Sequence, residues 1–249
     1  MGYIYANEVN IEKNEWLIKK ASINNFKEEI KKNIEKPNLF AGTVFRESLE
    51  SHGLSVNKLQ LGKTIESKDT ILVHQSKPLY ILLENMMHDS KNLTSELLLK
   101  YMGITDSSVG NWESGIQKVK TYLFEEVNID TSALRIADGS GLSRYDLLTA
   151  SQIVKLLTHI HGREDRELFL NTLPYGNEKD TRLEGRLIEV QNKIYAKTGS
   201  LSGVSCLSGY VLSPSKGPMA FSILINGFVG SIRPYRKFQD EICNWLVTN

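Results

Sequence analysis

The last part of the chain changes its hydrophobic period, and that change restricts the fold more than any other feature. Residues 194–197, 204–212 and 219–226 read as strands, separated by turns rich in Gly, Ser and Pro. Consecutive strands with short connections predict an antiparallel meander. Residues 235–246 then return to helical spacing, with Phe238, Ile242, Trp245 and Leu246 on one face, and this face is expected to cover the sheet. A sheet with an apolar face needs a second layer, so the expected class is α/β, an antiparallel sheet packed with helices, and not a βαβ fold.

Upstream the pattern is helical. Ile23, Phe26, Ile30 and Ile34 recur at helical spacing until Pro37, after which Phe40, Val44, Phe45 and Leu49 predict a second helix stopped by Gly53. Residues 71–74 read as a short extended piece. Leu79, Leu82, Leu83 and Met86 share a helical face that ends at the polar run 88–92. The next helix shows an apolar face of Leu93, Leu97 and Tyr101 and stops at Gly103. Ser90, Lys91 and Asn92 therefore fall at an interhelical turn. Ile116, Val119, Leu123 and Val127 predict one more helix, residues 138–144 a loop, and Thr149 the cap of a helix carrying Ile153, Leu156, Leu157 and Ile160. The Lys-rich and Glu-rich residues 1–66 read as a lead-in distinct from residues 67–249.

Composition narrows the function classes. The 30 basic and 29 acidic side chains leave a net charge of +1, so no global field recruits nucleic acid or an anionic membrane. No apolar run has transmembrane length, and the N-terminal residues lack the pattern of a signal peptide. Cys206 and Cys243 are far apart, without metal-ligand spacing. Gly62-Lys63-Thr64 resembles the end of a phosphate loop, but Asn57 stands where its first glycine is required. His159 and His161 fit a helix end better than a metal motif, and the charged run from Arg163 to Glu167 reads as a solvated face.

Two tripeptides carry chemistry. Acyl transfer by a serine needs a nucleophile, a base, a proton donor and hydrogen-bond donors facing the oxyanion. Ser90-Lys91-Asn92 matches S-x-N at a turn between helices, and Lys197-Thr198-Gly199 matches K-T-G on a strand. Longer strings surround them: Ser95-Glu96-Leu97-Leu98, Asp138-Gly139-Ser140-Gly141-Leu142-Ser143-Arg144, Leu173-Pro174, Ala196 through Leu201, Leu207-Ser208-Gly209-Tyr210, and residues 220–226. In these the chain resembles the D-Ala-D-Ala carboxypeptidase/endopeptidase family of class C low-molecular-mass penicillin-binding proteins. The resemblance implies a β-lactamase/transpeptidase-like fold, a serine-type peptidase acting through an acyl-enzyme, no metal and no cofactor. It implies as partners peptidoglycan stem peptides ending in D-Ala-D-Ala and, for the full-length parent, β-lactams, with action outside the cytoplasmic membrane.

Carried over position by position, the resemblance makes Ser90 a proton relay between the catalytic lysine and the leaving amine, and has Asn92 hold that lysine and a substrate amide. Lys197 tunes the electrostatics, Thr198 binds the terminal carboxylate, Gly199 permits close approach, and the Ser200 N–H is an oxyanion donor. Ser140 and Arg144 shape a substrate loop. The nucleophile of S-x-x-K has no suitable match. Ser55-Val56-Asn57-Lys58 lies in a polar connection, not at the start of a buried helix, and Ser213-Pro214-Ser215-Lys216 follows K-T-G in a hairpin turn. The expectation is a chain lacking the nucleophile helix and first strands, with residues 1–66 the remnant of an inserted domain and an apolar patch left exposed. Residues 176–186 depart from the family, with Asp180-Thr181-Arg182 in place of its usual Gly-Thr-Leu. A non-catalytic peptidoglycan-binding remnant is the competing reading, and a β-lactamase of the same fold fits the 138–144 loop less well.

Overall fold

The computed structural model describes the backbone of residues 4–10 and 15–20 and, with side chains, residues 34, 36–63, 70, 73–106 and 108–249. The chain forms two compact units, Met1–His74 and Gln75–Asn249.

In the first unit, strands β1 (Ile4–Asn10) and β2 (Glu15–Lys20) pair antiparallel. Helix α1 (Pro37–Ser51) begins on a proline, whose missing N–H is no loss in a first turn, and stops before Gly53 at φ +82°. The helix expected at 23–34 lies outside the described residues except for Ile34, which is not helical, and Ile71 and Leu72 of the expected extended piece also lie outside them.

The second unit holds helices α2 (Leu79–Asp89), α3 (Asn92–Met102), α4 (Trp112–Glu125), α5 (Ala150–His161), α6 (Arg166–Leu170) and α7 (Arg233–Thr248). Its sheet is the expected meander, β3 (Ile194–Leu201), β4 (Val204–Ser213) and β5 (Gly217–Asn226), antiparallel in the order β3-β4-β5. Strand alternation separates two faces. Ile194, Ala196, Leu207, Val211 and Phe221 pack with Cys243 and Val247 of α7 and with Leu183, Leu187 and Val190 from the preceding loop and 3₁₀ turn. On the opposite face Tyr195, Tyr210 and Ala220 pack with Ile153 and Leu157 of α5. Tyr210 donates its phenol to the Leu157 carbonyl at 2.7 Å, and burial pushes that phenol up to about 12. A further cluster of Leu123, Val127, Ile129 and Leu134 closes under Leu156. Thr149, the expected cap, forms a full capping box with Gln152 on α5, and Asn111 forms another with Ser114 on α4.

Two helices turn a different face inward from the one their apolar residues suggest. Leu93, Leu97 and Tyr101 of α3 are exposed, and Leu99 is buried. There α3 meets α4 so closely that a Cβ on Gly115 would lie 2.0 Å from the Leu99 carbonyl oxygen. In α7 the buried residues are Gln239, Cys243 and Val247, whereas Phe238 and Trp245 stay exposed. The sheet-facing stripe of α7 is set by a polar partnership of Gln239, described below, and the large side chains turn outward as a result.

The approach of β3 to β4 depends on Gly209, where an added Cβ would sit 2.0 Å from the Tyr195 carbonyl oxygen and 2.6 Å from Ala196 Cα. Gly209→Ala is expected to lower stability by about 3 kcal/mol or more through forced separation of these strands. A urea midpoint equal to that of the unmodified protein would show that the strands tolerate the methyl group.

Candidate active site

Helix α2 ends where Ser90 adopts φ 54°, ψ 52°, a left-handed conformation that costs a serine roughly 1 kcal/mol. The turn is held by Ser90 N–H and Lys91 N–H, which both donate to the Met86 carbonyl, and by a 3.5 Å contact between His88 Nδ1 and Glu178. The result points the Ser90 hydroxyl at β3. Lys197 Nζ donates to Ser90 Oγ and, at 3.0 Å, to the carbonyl of Thr198. Burial lowers the Lys197 ammonium below the usual lysine range, and the positive charge of Arg182 lowers it further. Asn92 opens α3 two residues later, exposed and without a side-chain hydrogen bond among the described residues. The structure thus joins Ser90 to Lys197 directly and leaves Asn92 free.

β3 lies at a sheet edge, and its outer side is partly occupied. Ala196 N–H donates to the Pro174 carbonyl at 2.8 Å, and Gly176 N–H donates to the Ile194 carbonyl at 3.0 Å. Because main-chain groups alternate along a strand, those of Thr198 and Ser200 face the same outer side as those of Ala196. No backbone group among the described residues covers them, so the edge is open from Thr198 onward. Thr198 is half-buried, and Gly199 and Ser200 are exposed.

The loop 138–144 is fixed from below by Glu96. This carboxylate accepts from Gly139 N–H at 3.2 Å, Ser140 N–H at 3.0 Å and the Trp112 indole at 2.8 Å. Burial pushes the Glu96 carboxyl up, but the hydrogen bonds from Ser140, Trp112 and the loop backbone outweigh it and hold the group below the usual range. Asp138 accepts from Gly141 N–H at 2.5 Å and Ser143 N–H at 2.7 Å. Burial raises the neighbouring Asp146 carboxyl, which the Ala137 N–H lowers and the Asp138 charge raises again. Ser140 is therefore committed to the loop's own anchoring, while Arg144 reaches across to the Ser202 carbonyl at 2.8 Å and ties the loop to the turn after β3.

Between these parts lies a cleft of about 1050 Å³, lined by Asp138, Gly139, Arg144, Lys197, Thr198 and Cys206 among others. A second, apolar cleft of about 1110 Å³ lies along Leu82, Leu83, Met86, Leu98, Tyr101 and Met102 and shares Ile136, Asp138 and Gly139 with the first. Ser55 is exposed in an irregular segment of the first unit. Ser213 is buried at the end of β4 with its hydroxyl against Ser215 and the Lys216 N–H, a turn-forming role.

Residues 8–248 match the model of the D-Ala-D-Ala carboxypeptidase 3 (S13) family. The chain belongs to that family. Over 207 residues it is 35% identical to the D-alanyl-D-alanine carboxypeptidase of Actinomadura sp. (strain R39), covering 79% of this chain and 38% of that protein. It is 29% identical over 202 residues to the D-alanyl-D-alanine carboxypeptidase DacB of Haemophilus influenzae, covering 78% of this chain and 42% of the relative. The S13 chain thus spans about two fifths of the length of these relatives. Its fold is that of penicillin-binding protein 4 of Haemophilus influenzae, with a TM-score of 0.86 at 24% identity over 100% of this chain and 57% of the other. The α/β class read from the meander and its flanking helices is the class observed.

Glu96, Gln239 and Arg186, which hold the loop 138–144 and the sheet in place, are residues for which the sequence suggested no role. Glu96 lies within Ser95-Glu96-Leu97-Leu98, and a lone acid on a helix gives no sign of which backbone it will hold.

Two measurements test the electrostatics. Glu96→Ala is expected to cost about 2 kcal/mol by orphaning loop N–H groups. The folded Glu96 carboxyl is lowered from 4.5, so its contribution is present above that value and lost as pH falls through the folded value. Acid unfolding of Glu96→Gln should lack this step, and an unchanged acid profile would remove Glu96 as the loop's anchor. For Lys197 the folded value is lowered from 10.5, so stability rises with pH through that window, where the unfolded chain binds more protons. NMR of ¹³Cε-labelled lysines should show Lys197 titrating below the exposed lysines and moving upward in Arg182→Gln. Titration together with the exposed lysines would contradict the burial argument.

Proposed function

We propose that this chain carries part of the machinery of a serine-type D-Ala-D-Ala carboxypeptidase/endopeptidase of peptidoglycan metabolism, acting outside the cytoplasmic membrane through an acyl-enzyme. The observation that carries the reading is the hydrogen bond from Lys197 to Ser90, which joins the S-x-N turn to the K-T-G strand across 107 residues of sequence. In this reading Ser90 passes a proton toward the leaving amine, and Lys197 stabilises negative charge at the reacting centre. Asn92 engages a substrate amide. Thr198 binds the terminal carboxylate, and the outward Ser200 N–H faces the developing oxyanion. The open edge of β3 from Thr198 onward pairs with an extended stem peptide ending in D-Ala-D-Ala, Gly199 allows the close approach, and Ser140 and Arg144 hold the loop across the cleft. β-Lactams occupy the same place.

The nucleophile is the part that the described residues do not supply. Ser55 lacks a helix and Ser213 is spent on a turn, which favours a second reading for the isolated chain, a peptidoglycan-binding remnant that cannot be acylated. Intact-protein mass after incubation with penicillin distinguishes them. The expected outcome is no stoichiometric adduct on this chain, and one adduct per chain when it is expressed with an upstream S-x-x-K segment from its gene. In that longer protein Lys197→Ala should abolish or greatly slow the adduct. An adduct on the present chain that disappears in Ser55→Ala would instead make Ser55 the nucleophile. A longer protein that never reacts would leave only the binding role.

A further inference from the structure

The turn that carries the loop 138–144 encloses two carboxyl groups with different surroundings. Asp138 opens the turn and accepts from Gly141 N–H at 2.5 Å and from Ser143 N–H at 2.7 Å. Asp146 closes it, donating its own N–H to the Ser143 carbonyl at 3.3 Å. Just outside, Arg135 and Leu147 pair as an antiparallel bridge, which brings Asp146 alongside Ile136 and Ala137. The Ala137 N–H accordingly donates to Asp146 Oδ1 at 2.6 Å. Both acids line the cleft beside Lys197.

The second oxygen of Asp146 is left over. Oδ2 is buried and meets no hydrogen-bond donor among the described residues. An ionised carboxylate can only accept, so a buried oxygen in this state keeps its desolvation penalty uncompensated. The cations of the surrounding elements are directed elsewhere. Arg144 donates to the Ser202 carbonyl, Arg135 lies over the Tyr145 ring at 5.0 Å, Lys155 of α5 donates to the Asn128 carbonyl, and Lys197 of β3 donates to Ser90 and the Thr198 carbonyl. From α3, Glu96 brings a further acid to the loop, on Gly139 N–H and Ser140 N–H. Asp138 adjoins Ala137 and keeps acceptor capacity, since its two N–H partners use one lone pair on each oxygen. Burial raises the Asp146 carboxyl, the Ala137 N–H lowers it, and Asp138 raises it again through its charge and its side-chain contact, against a weaker lowering by the Asp138 N–H.

We propose that Asp146 carries a proton on Oδ2 and donates it to Asp138, and that this acid pair positions the loop 138–144 beside the cleft. Asp146 is a positioning residue, acting through Asp138 on the N–H groups of Gly141 and Ser143. The consequence for substrate rests on the reading of the cleft given above, whereas the pair itself does not. Without the proton, two negative charges confront each other inside one turn and the loop loosens. A folded value raised above 3.8 gives stability that is fully present below 3.8 and lost as pH rises through the folded value. Glu96 works in the opposite sense, since its contribution is lost as pH falls. The loop thus has two acid anchors with opposing pH responses.

The test is NMR of the present chain labelled with ¹³C-aspartate, with no ligand added, so that the pair stands or falls whatever the cleft binds. Asp146 Cγ is expected to titrate above the exposed aspartates, with the Gly141 and Ser143 amide signals moving in step. Asp146→Asn supplies the donor at every pH, because its Nδ2 replaces the proton while its Oδ1 keeps the Ala137 N–H. In that variant the step in the two amides should vanish, and its urea midpoint should gain on that of the unmodified chain as pH rises above 3.8. Asp146→Ala, which has no donor, should displace both amides even in acid. Titration of Asp146 together with the exposed aspartates would overturn the pair, as would an Asp146→Asn midpoint that stays level with the unmodified chain or falls behind it as pH rises.

Discussion

A half-buried ammonium without a carboxylate partner is the constraint on which the site is built. Lys197 loses hydration on the face of β3, feels the repulsion of Arg182, and among the described residues has neutral oxygens, Ser90 Oγ and the Thr198 carbonyl, to hold it. Those oxygens must arrive from different elements. The end of α2 has to reach the sheet, and it does so because Met87 packs against the Tyr210 cluster and His88 meets Glu178. It must also turn its last hydroxyl inward, which requires the left-handed conformation of Ser90. A cation kept short of compensation binds incoming negative charge more strongly than one already paired with an acid.

Rigidity on the other side of the sheet comes from a polar seam inside an apolar cluster. Gln239 is fully buried with both ends of its amide bonded, one to Ser205 and one to Arg186, and Arg186 is in turn held by Asp240. A buried amide is tolerated only when its donors and acceptors are met, so the three partners specify one position of α7 against β4. Since Ser205 pairs with Ser200, the seam also fixes the end of β3. The loop 138–144 is treated likewise, with Glu96 and Asp138 collecting its N–H groups.

Much of the second unit was legible because its signals are local. The period change located β3, β4 and β5, Thr149 marked the start of α5, and the polar run after Met86 marked the break between α2 and α3. Orientation was less legible. Leu93, Leu97 and Tyr101 form the more obvious apolar stripe on α3, yet Leu99 is the residue buried, because the close crossing at Gly115 decides which side meets α4. On α7 the exposed Phe238 and Trp245 outweigh Gln239 in any hydropathy count. Gln239 is inside because its partners, 34 and 53 residues away in sequence, reach it only in the folded chain.

The same division holds for the site. The sequence alone determined the two tripeptides and their settings, a turn after a helix and the end of a strand, since backbone conformation near Gly, Ser and Asn follows from short-range sterics and hydrogen bonding. It also determined the antiparallel meander, through side-chain alternation. Tertiary structure decided that Lys197 meets Ser90, that Ser140 is committed to its own loop, and that among the described residues Asn92 and Arg182 have no side-chain hydrogen bond while Arg186 is fully satisfied. Each of these depends on which groups compete for the same donor or acceptor across tens of residues, and burial settles that competition only once the layers have packed.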